Sequence, residues 1–546
     1  MTRMTTISMS DISRANPASG ASTTTVKGTV DVKQPPPRPV AVIDIGASAI
    51  RMAIAEIHPS GEVRKLDQLI QPVPLGKETF ETRRLSRRSI ERVVRVLRQY
   101  QRILLEYGID QPSAVRVVAT SAVREASNRL AFADRVYMVT GLHVEPIDEA
   151  EVNRITYMGI TPQLLADEEL SNGKAMVLEI GGGSTEVLVV RSGNVLASHS
   201  YRLGSIRMLQ TIDLARAGAK RRRALLENHI NRMLTQLNEL VRSESQLNLV
   251  AVGGDIRLAT RLLGHESLGG DLASVSVERL AELTDEVLTL DEEEIVKKYD
   301  ATFIEAQTLG PALLAYSAVA RHFSLDRIYV SDTNMRDGLL KDMASGGRWT
   351  AEFRNQIIRS ALSLGRRFHF DEMHARSVAE LSRKLFYQLQ SQHRLDNRHE
   401  VILYVAALLH EIGMQINVRG HHKHSLYIIR HSELFGLSQS ELVEVALVAR
   451  YYRRATPQPT HAEYMSLDRE HRVMVSKLAA ILRIAAALDD TRTSRIREID
   501  CKVDSNRLII EIPGVNDVSL EQIAMKQQAG LFRDVYGLPV MLRVNG

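Results

Sequence analysis

KAMVLEIGGGSTEVLVV, residues Lys174 to Val190, is the stretch on which the fold turns. An apolar run ends in three glycines and two hydroxyl residues, and a second apolar run follows. That pattern predicts strand, glycine turn, strand. The same order stands upstream, where PVAVIDIG (Pro39 to Gly46) leads through a tight turn into RMAIAEI (Arg51 to Ile57). An acid precedes each turn, Asp44 in one and Glu179 in the other, 135 residues apart. This weak symmetry predicts two related α/β domains facing each other across a cleft. LVAVGGDIRLAT (Leu249 to Thr260) adds a third glycine turn, between strand and helix, and DRIYVSD (Asp326 to Asp332) a further strand. Within the first half, Ser89 to Tyr107 has helical apolar spacing. AVRVVAT (Ala114 to Thr120) reads as a buried strand, and VYMVTGLHVEPI (Val136 to Ile147) as a strand leading into a helix.

Glycine turns let backbone N–H groups approach an anion, and the hydroxyls of Ser48, Ser184 and Thr185 add donors. One such turn reads equally well as a tight hairpin. Three of them, at Gly46, Gly181 to Gly183, and Gly253 to Gly254, point to a phosphate site, with Asp44 and Glu179 placed to hold Mg²⁺. No GxxxxGK[ST] serves this role, so a P-loop is not expected. Arg124, in TSAVREASN, is either a bidentate phosphate ligand or a surface arginine paired with Glu125. IDEAEVNR places Asp148, Glu149 and Glu151 at a helix start, where the dipole favours acids. One of these carboxylates is the candidate base that orients water at a phosphoryl group.

Arg83 to Arg102 contains eight arginines and one acid. Arg84, Arg88, Arg92 and Arg95 fall on one predicted helical face, which is either a solvated surface or a track for a polyanion. Arg216 and Lys220 to Arg223 form a second basic cluster. Aromatic interleaving is sparse, which argues against base stacking and specific nucleic-acid binding.

The chain has 546 residues, 44% hydrophobic and 25% charged, with a net charge of +5, so it is expected to be soluble, globular and multidomain. A single cysteine, Cys501, excludes an intrachain disulfide and a cysteine zinc site. No apolar run reaches the ~18–20 residues of a membrane helix, and the N-terminus lacks a signal-type apolar region, so no membrane association and a cytoplasmic location are expected. Residues 1–37, with twelve Ser or Thr and four Pro, read as a disordered tail. Two α/β domains follow at 38–163 and 164–344, then a helical domain at 345–492 and a small α+β appendix at 493–546.

In the helical domain, MHARSVAEL (Met373 to Leu381), LLHEIG (Leu408 to Gly413), GHHKHS (Gly420 to Ser425) and ALDDTR (Ala487 to Arg492) follow a metal-dependent phosphohydrolase pattern of His, a His–acid pair and a distant Asp. The pair is His410–Glu411, and the longer glutamate predicts a bundle that keeps the shape without the metal.

Together, VIDIGASAIRMAIAEI, ATSAVREASN, LEIGGGSTEVLVV, AVGGDIRLAT and VSDTNMRDGLL resemble the Ppx/GppA family of exopolyphosphatases and guanosine pentaphosphate phosphohydrolases. The resemblance runs from Arg38 to the C-terminus and is to the family's long form. It implies duplicated actin-like (ribonuclease H-like, ASKHA) domains followed by an HD-like helical domain. It further implies Mg²⁺-dependent hydrolysis of a terminal phosphoanhydride, on inorganic polyphosphate or a guanosine polyphosphate, by a homodimer. By position, Asp44, Gly46 and Ser48 form the first phosphate loop and Arg124 meets the terminal phosphate. Glu179, Gly181, Gly182, Gly183, Ser184, Thr185 and Glu186 form the second, with Glu179 and Glu186 near metal and water, and Gly253 and Gly254 close the site.

The chain departs from the family pattern at several points. Ala47-Ser48-Ala49 replaces Ser-Asn-Ser, Asp255 replaces a threonine, and Tyr452 replaces a histidine. The family's catalytic glutamate, two residues before the arginine matched by Arg154, is Val152. Glu151 is therefore the expected base, with Glu149 second. The expected function is release of orthophosphate from polyphosphate. The alternatives are 5′-hydrolysis of pppGpp, a catalytically weak polyphosphate or alarmone sensor, and a phosphohydrolase working through the helical domain, which Glu411 and Tyr452 disfavour.

Overall fold

Side-chain alternation fixes the faces of the central strands. Along β1 (Arg38–Ile45), Ala41, Ile43 and Ile45 enter one core while Val40 and Val42 enter another. Along β6 (Lys174–Ile180), Met176, Leu178 and Ile180 face one core and Ala175 and Val177 the opposite one. Both strands are thus buried on two sides, as strands covered by helices on both faces must be. The computed structural model describes residues 36–211, 219–241, 247–264, 266–267, 272–345, 350–504 and 506–544. All but the last two residues of the expected N-terminal tail lie outside these, as does Arg216.

The first sheet contains β1, β2 (Ala49–Ile57), β3 (Val63–Pro72), β4 (Val115–Ala119) and β5 (Val144–Pro146), in the order β3-β2-β1-β4-β5. The second contains β6, β7 (Thr185–Arg191), β8 (Asn194–Tyr201), β9 (Leu247–Val252), β10 (Glu266–Ser267), β11 (Leu272–Ser276) and β12 (Arg327–Ser331), in the order β8-β7-β6-β9-β12-β11-β10. In each, an antiparallel three-strand meander is extended by parallel strands on the other side of its first strand. The two halves share order and direction over five strands, which is the duplicated, actin-like architecture.

Two sequence expectations change. Val136 to Thr140 is the end of the helix Arg129–Thr140, and only Val144–Pro146 is strand. Gly141 takes a left-handed conformation that caps the helix, so the apolar run is split by a turn. The boundary expected at 163/164 falls inside the helix Glu149–Ala166. The helix Met335–Ala344, at the end of the second half, buries Leu339 and Leu340 against Val40, Val42 and Ala53 of the first sheet. It crosses the helix Glu149–Ala166 at Gly338, where a Cβ would lie 2.1 Å from the Ile155 carbonyl oxygen, so the backbones touch.

Residues 351–488 are predominantly helical. The appendix carries β13 (Asp500–Asp504), β14 (Arg507–Ile512) and β15 (Val540–Val544) in one sheet. Its Leu508, Ile510, Phe532 and Leu542 share one continuous core with Leu478, Ile481 and Leu482 of the helical region, so it does not form a core of its own. Among the described residues, no helix is long and apolar enough to cross a membrane.

Tyr316, from the helix Phe303–His322, ties the ends of β6 and β9 together. Its buried hydroxyl accepts from the Ile180 N–H (3.0 Å) and donates to the Val252 carbonyl (2.6 Å). Tyr316→Phe strands both groups away from water and is expected to cost about 1–3 kcal/mol, read as a lower urea midpoint with an unchanged slope.

Candidate active site

The two strand–turn–strand units open onto one cleft of about 760 Å³. DIGASAIR (Asp44 to Arg51) and EIGGGSTE (Glu179 to Glu186) occupy equivalent places in it, and their hairpin registers match. Asp44 pairs across the strands with Arg51, and Glu179 with Glu186. One half therefore presents an acid and a base and the other presents two acids.

Each turn is closed by one backbone bond, Gly46 N–H to the Ala49 carbonyl and Gly181 N–H to the Ser184 carbonyl. Among the described residues, the N–H groups of Ala47, Ser48, Gly182, Gly183 and Ser184 have no protein partner. All five line the cleft. These are the donors an anion needs. Gly253 and Gly254 also line it, at the start of the helix Gly254–Leu263. Thr185 does not. Its hydroxyl is buried and donates to the Leu203 carbonyl, so the expected phosphate contact is replaced by an internal one.

The second turn is seated against the first half of the chain. A Cβ on Gly183 would lie 2.2 Å from the Ser121 hydroxyl oxygen. Arg207 donates to the Gly183 carbonyl (2.9 Å), pairs with Glu125 (2.5 Å) and stacks over Phe80 at 4.1 Å. Glu125 is thus committed to Arg207 and not to its neighbour Arg124. Arg124 lines the cleft, where it donates to the Ile147 carbonyl (3.0 Å) and meets Glu149 at 3.2 Å.

The acids fall into distinct environments. Asp44 is buried between Arg51 and Arg336, each at 3.8 Å from Oδ2, and Oδ1 has no hydrogen-bond partner. Burial raises Glu179, which accepts from the Thr156 hydroxyl at 3.0 Å. Burial pushes Glu186 up to about 7, with Glu149 and Glu179 adding to the shift and the Ser184 hydroxyl (2.8 Å) opposing it. Asp255 is pushed up by burial to about 6, and the Thr308 hydroxyl donates to it at 2.7 Å.

Glu151 is not in the cleft. Arg154 grips it through two bonds of 2.7 Å, Arg116 lies at 3.3 Å, and Asp342 completes a four-member charge cluster. The cluster sits behind the helix Glu149–Ala166, and Val152, 5% exposed, is the residue turned into the cleft. Glu149 also misses the cleft lining. It lines a smaller adjoining pocket of about 290 Å³, which shares Arg124 with the cleft. Glu186 is therefore the candidate base that faces the phosphate turns.

The arginine track is also displaced. Arg84 precedes the N-cap Ser86 of the helix Arg87–Glu106, so only Arg88, Arg92 and Arg95 are helical, and none of the four lines the cleft. The cations that do line it are Arg51, Lys65, Arg124, Arg257, Arg261 and Arg336. Composition could not single these out. The one signal for Arg51 is its place in the repeated eight-residue motif, opposite Glu186.

Residues 53–346 match the Ppx/GppA phosphatase family, and residues 358–528 match Ppx/GppA phosphatase, domain III. An exopolyphosphatase from Cytophaga hutchinsonii is similar in fold, with 21% identity, a TM-score of 0.51, and 57% of this chain and 98% of that one covered. A Ppx/GppA family member from Aquifex aeolicus matches at 24% identity and a TM-score of 0.47, over 58% of this chain and 100% of that one.

The raised Glu186 sets a pH dependence of stability. Its folded value of about 7 exceeds its ordinary 4.5, so between these the folded chain holds a proton that the unfolded chain has lost. Ionisation of Glu186 therefore costs stability increasingly as pH rises through this window, and the full cost stands above about pH 7. Glu186→Gln is expected to raise Tm above about pH 7 and to leave it unchanged near 4.5, the gain growing between.

Proposed function

The chain belongs to the Ppx/GppA phosphatase family, and from that premise we propose that it cleaves the terminal phosphoanhydride of inorganic polyphosphate and releases orthophosphate. The observation that carries this is the opposition of two glycine turns in which, among the described residues, the N–H groups of Ala47, Ser48, Gly182, Gly183 and Ser184 lack partners, in a cleft also lined by five arginines. Such donors neutralise the oxygens of a terminal phosphate and hold it for in-line attack. Among the described cleft-lining residues there is no aromatic side chain, while six are cationic, so the lining suits a chain of phosphates better than a base. This favours polyphosphate over pppGpp.

The carboxylates fit a divalent cation of the Mg²⁺ kind. Such an ion takes one or two carboxylates and completes its shell with water and phosphate oxygens. Asp44, with its partnerless buried Oδ1, and Glu179 supply that set. Bound there, Mg²⁺ would draw negative charge from the phosphate oxygens. Glu186, whose proton affinity burial raises, accepts the proton of the attacking water. The water oxygen bonds to the terminal phosphorus, the bridging P–O bond breaks, and the shortened chain leaves.

A second reading, a polyphosphate-binding protein of low turnover, is favoured by four cleft residues, Ala47, Ala49, Asp255 and above all Val152. Val152 puts a hydrocarbon where a carboxylate would orient water. Phosphate release from polyphosphate with Mg²⁺ separates the two readings. Glu186→Gln is expected to lower kcat by about 10²–10⁴ with little change in KM. Glu151→Gln is expected to lower Tm, since it breaks a part-buried charge cluster, while kcat stays within about threefold. Val152→Glu is expected to raise kcat. Retained polyphosphate binding with no phosphate released by either the parent chain or Val152→Glu favours the binding protein.

A further inference from the structure

The smaller pocket beside the cleft lies where three parts of the chain meet. The helix Glu149–Ala166 packs on β7 and β8 there, and the helical region closes the pocket from the far side. Two contacts hold that closure, the Gln439 N–H to Asp148 Oδ2 at 2.8 Å and His199 Nδ1 to Glu433 Oε2 at 2.9 Å. Its volume of about 290 Å³ far exceeds the ~10–15 Å³ that one water needs. Glu149 and Glu433, whose side chains are 44% and 59% exposed, line it, so it opens to solvent.

Among the described residues, three buried polar atoms at the boundary of pocket and cleft complete no hydrogen bond: Glu186 Oε2, Ser200 Oγ and Asn153 Oδ1. Glu186 lines the cleft, whereas Ser200 and Asn153 line the pocket. Ser200 stands directly opposite Glu186 in the β7–β8 register, so the two side chains share one face of the sheet. Burial raises the proton affinity of Glu186, and the Ser200 hydroxyl is close enough to oppose that rise although it is not aligned for a full bond. Ser200 is thus the partition between the base and the pocket. Asn153 follows Val152 in the helix, so Val152 turns into the cleft and Asn153 into the pocket. Unpaired buried polar atoms are costly, and water in a roomy polar pocket removes the cost.

We propose, on the reading of polyphosphate as the substrate and Glu186 as the base, that this pocket is the water supply and proton exit of the cleft, with Ser200 as the relay beside Glu186 and Asn153 as the anchor of the waters. A long polyphosphate chain whose end sits between the glycine turns fills the mouth of the cleft. Water for the next cut then enters from the pocket side. In each turnover the attacking water loses one proton to Glu186 as its oxygen bonds to phosphorus and the bridging P–O bond breaks. Glu186 passes that proton to the Ser200 oxygen while the Ser200 hydroxyl proton moves to a pocket water, so the serine ends unchanged. The proton leaves to solvent past Glu149, which Arg124 holds at 3.2 Å at the edge of the pocket. Glu149 on the helix, Glu179 on β6 and His199 on β8 are the other titratable groups whose charges couple to Glu186. Ser200 and Asn153 act through water and through Glu186, and are therefore positioning residues.

Phosphate release by the full-length chain with Mg²⁺ is compared on long-chain polyphosphate and on tripolyphosphate, which is too short to fill the mouth and leaves water both routes. Ser200→Ala and Asn153→Ala are each expected to lower kcat on the long chain by about 10- to 100-fold with KM unchanged, and to slow tripolyphosphate far less. Ser200→Thr, which keeps the hydroxyl, should restore the rate. Ser200→Ala should also move the acid limb of the kcat–pH profile to higher pH, because Glu186 loses the hydroxyl that holds its proton affinity down, while Asn153→Ala leaves the limb in place. Ala150→Leu, at a half-buried position that lines the pocket and not the cleft, adds bulk without removing a hydrogen bond and should give the same chain-length-dependent loss. It carries the test where circular dichroism shows that a polar variant has not folded. Equal slowing on both substrates, or a long-chain kcat that survives any of the folded variants, overturns the proposal while leaving the parent activity in place. No phosphate released from either substrate by the parent chain fails the reading of the function itself, and the water route with it.

Discussion

The seating of the second glycine turn against the first half of the molecule is the constraint on which the cleft depends. Gly183 touches Ser121, and Arg207 closes the join by bonding the Gly183 carbonyl, pairing with Glu125 and covering Phe80. Without that contact the two sets of N–H donors face different directions and no single anion meets both. The join also explains the fate of Glu125. Held by Arg207, with Arg83 and Arg202 also on it, it does not pair with Arg124, which turns instead to the Ile147 carbonyl and Glu149 at the edge of the cleft.

Much of the fold was legible because it rests on local pattern. Apolar runs ending in glycine gave the strands of both halves, and the recurrence of Asp44 in Glu179 gave their kinship. What could not be read locally was partnership. Glu151 sits at a helix start exactly where acids are common, and its neighbours in sequence say nothing against catalysis. It is withdrawn from the cleft by Arg154 of its own helix and by Arg116 of β4, and both arginines are in turn paired with Asp342, which arrives about 190 residues later. The strand expected over Val136 to Ile147 failed for a smaller reason: the left-handed Gly141 ends a helix inside the segment, so its apolar residues divide between a helix end and a short strand. The arginine track failed because a charge run marks an exposed face and does not say which way that face looks.

The chemistry of the cleft is a redistribution of carboxylates. Val152 stands where the family resemblance puts a catalytic glutamate, and the hairpin register puts Glu186 directly across from Glu179 on the same face of the sheet. Burial raises Glu186, and the charges of Glu149 and Glu179 add to the shift. The proton affinity this gives Glu186 is the property a general base at neutral pH requires. Asp255, raised for the same reason and tied to Thr308, adds less negative charge to the phosphate region than its formal charge implies.

The close crossing of the helices Glu149–Ala166 and Met335–Ala344 has a mechanical consequence. The chain passes between the two halves once in each of these helices, and they meet where Gly338 lies on the Ile155 carbonyl and Lys341 donates to the Gly159 carbonyl. Two crossings set far apart would act as a rigid frame. Two crossings pinned together concentrate the link between the halves in one place, and the charge cluster is built across it: Glu151 and Arg154 lie on one helix and Asp342 on the other.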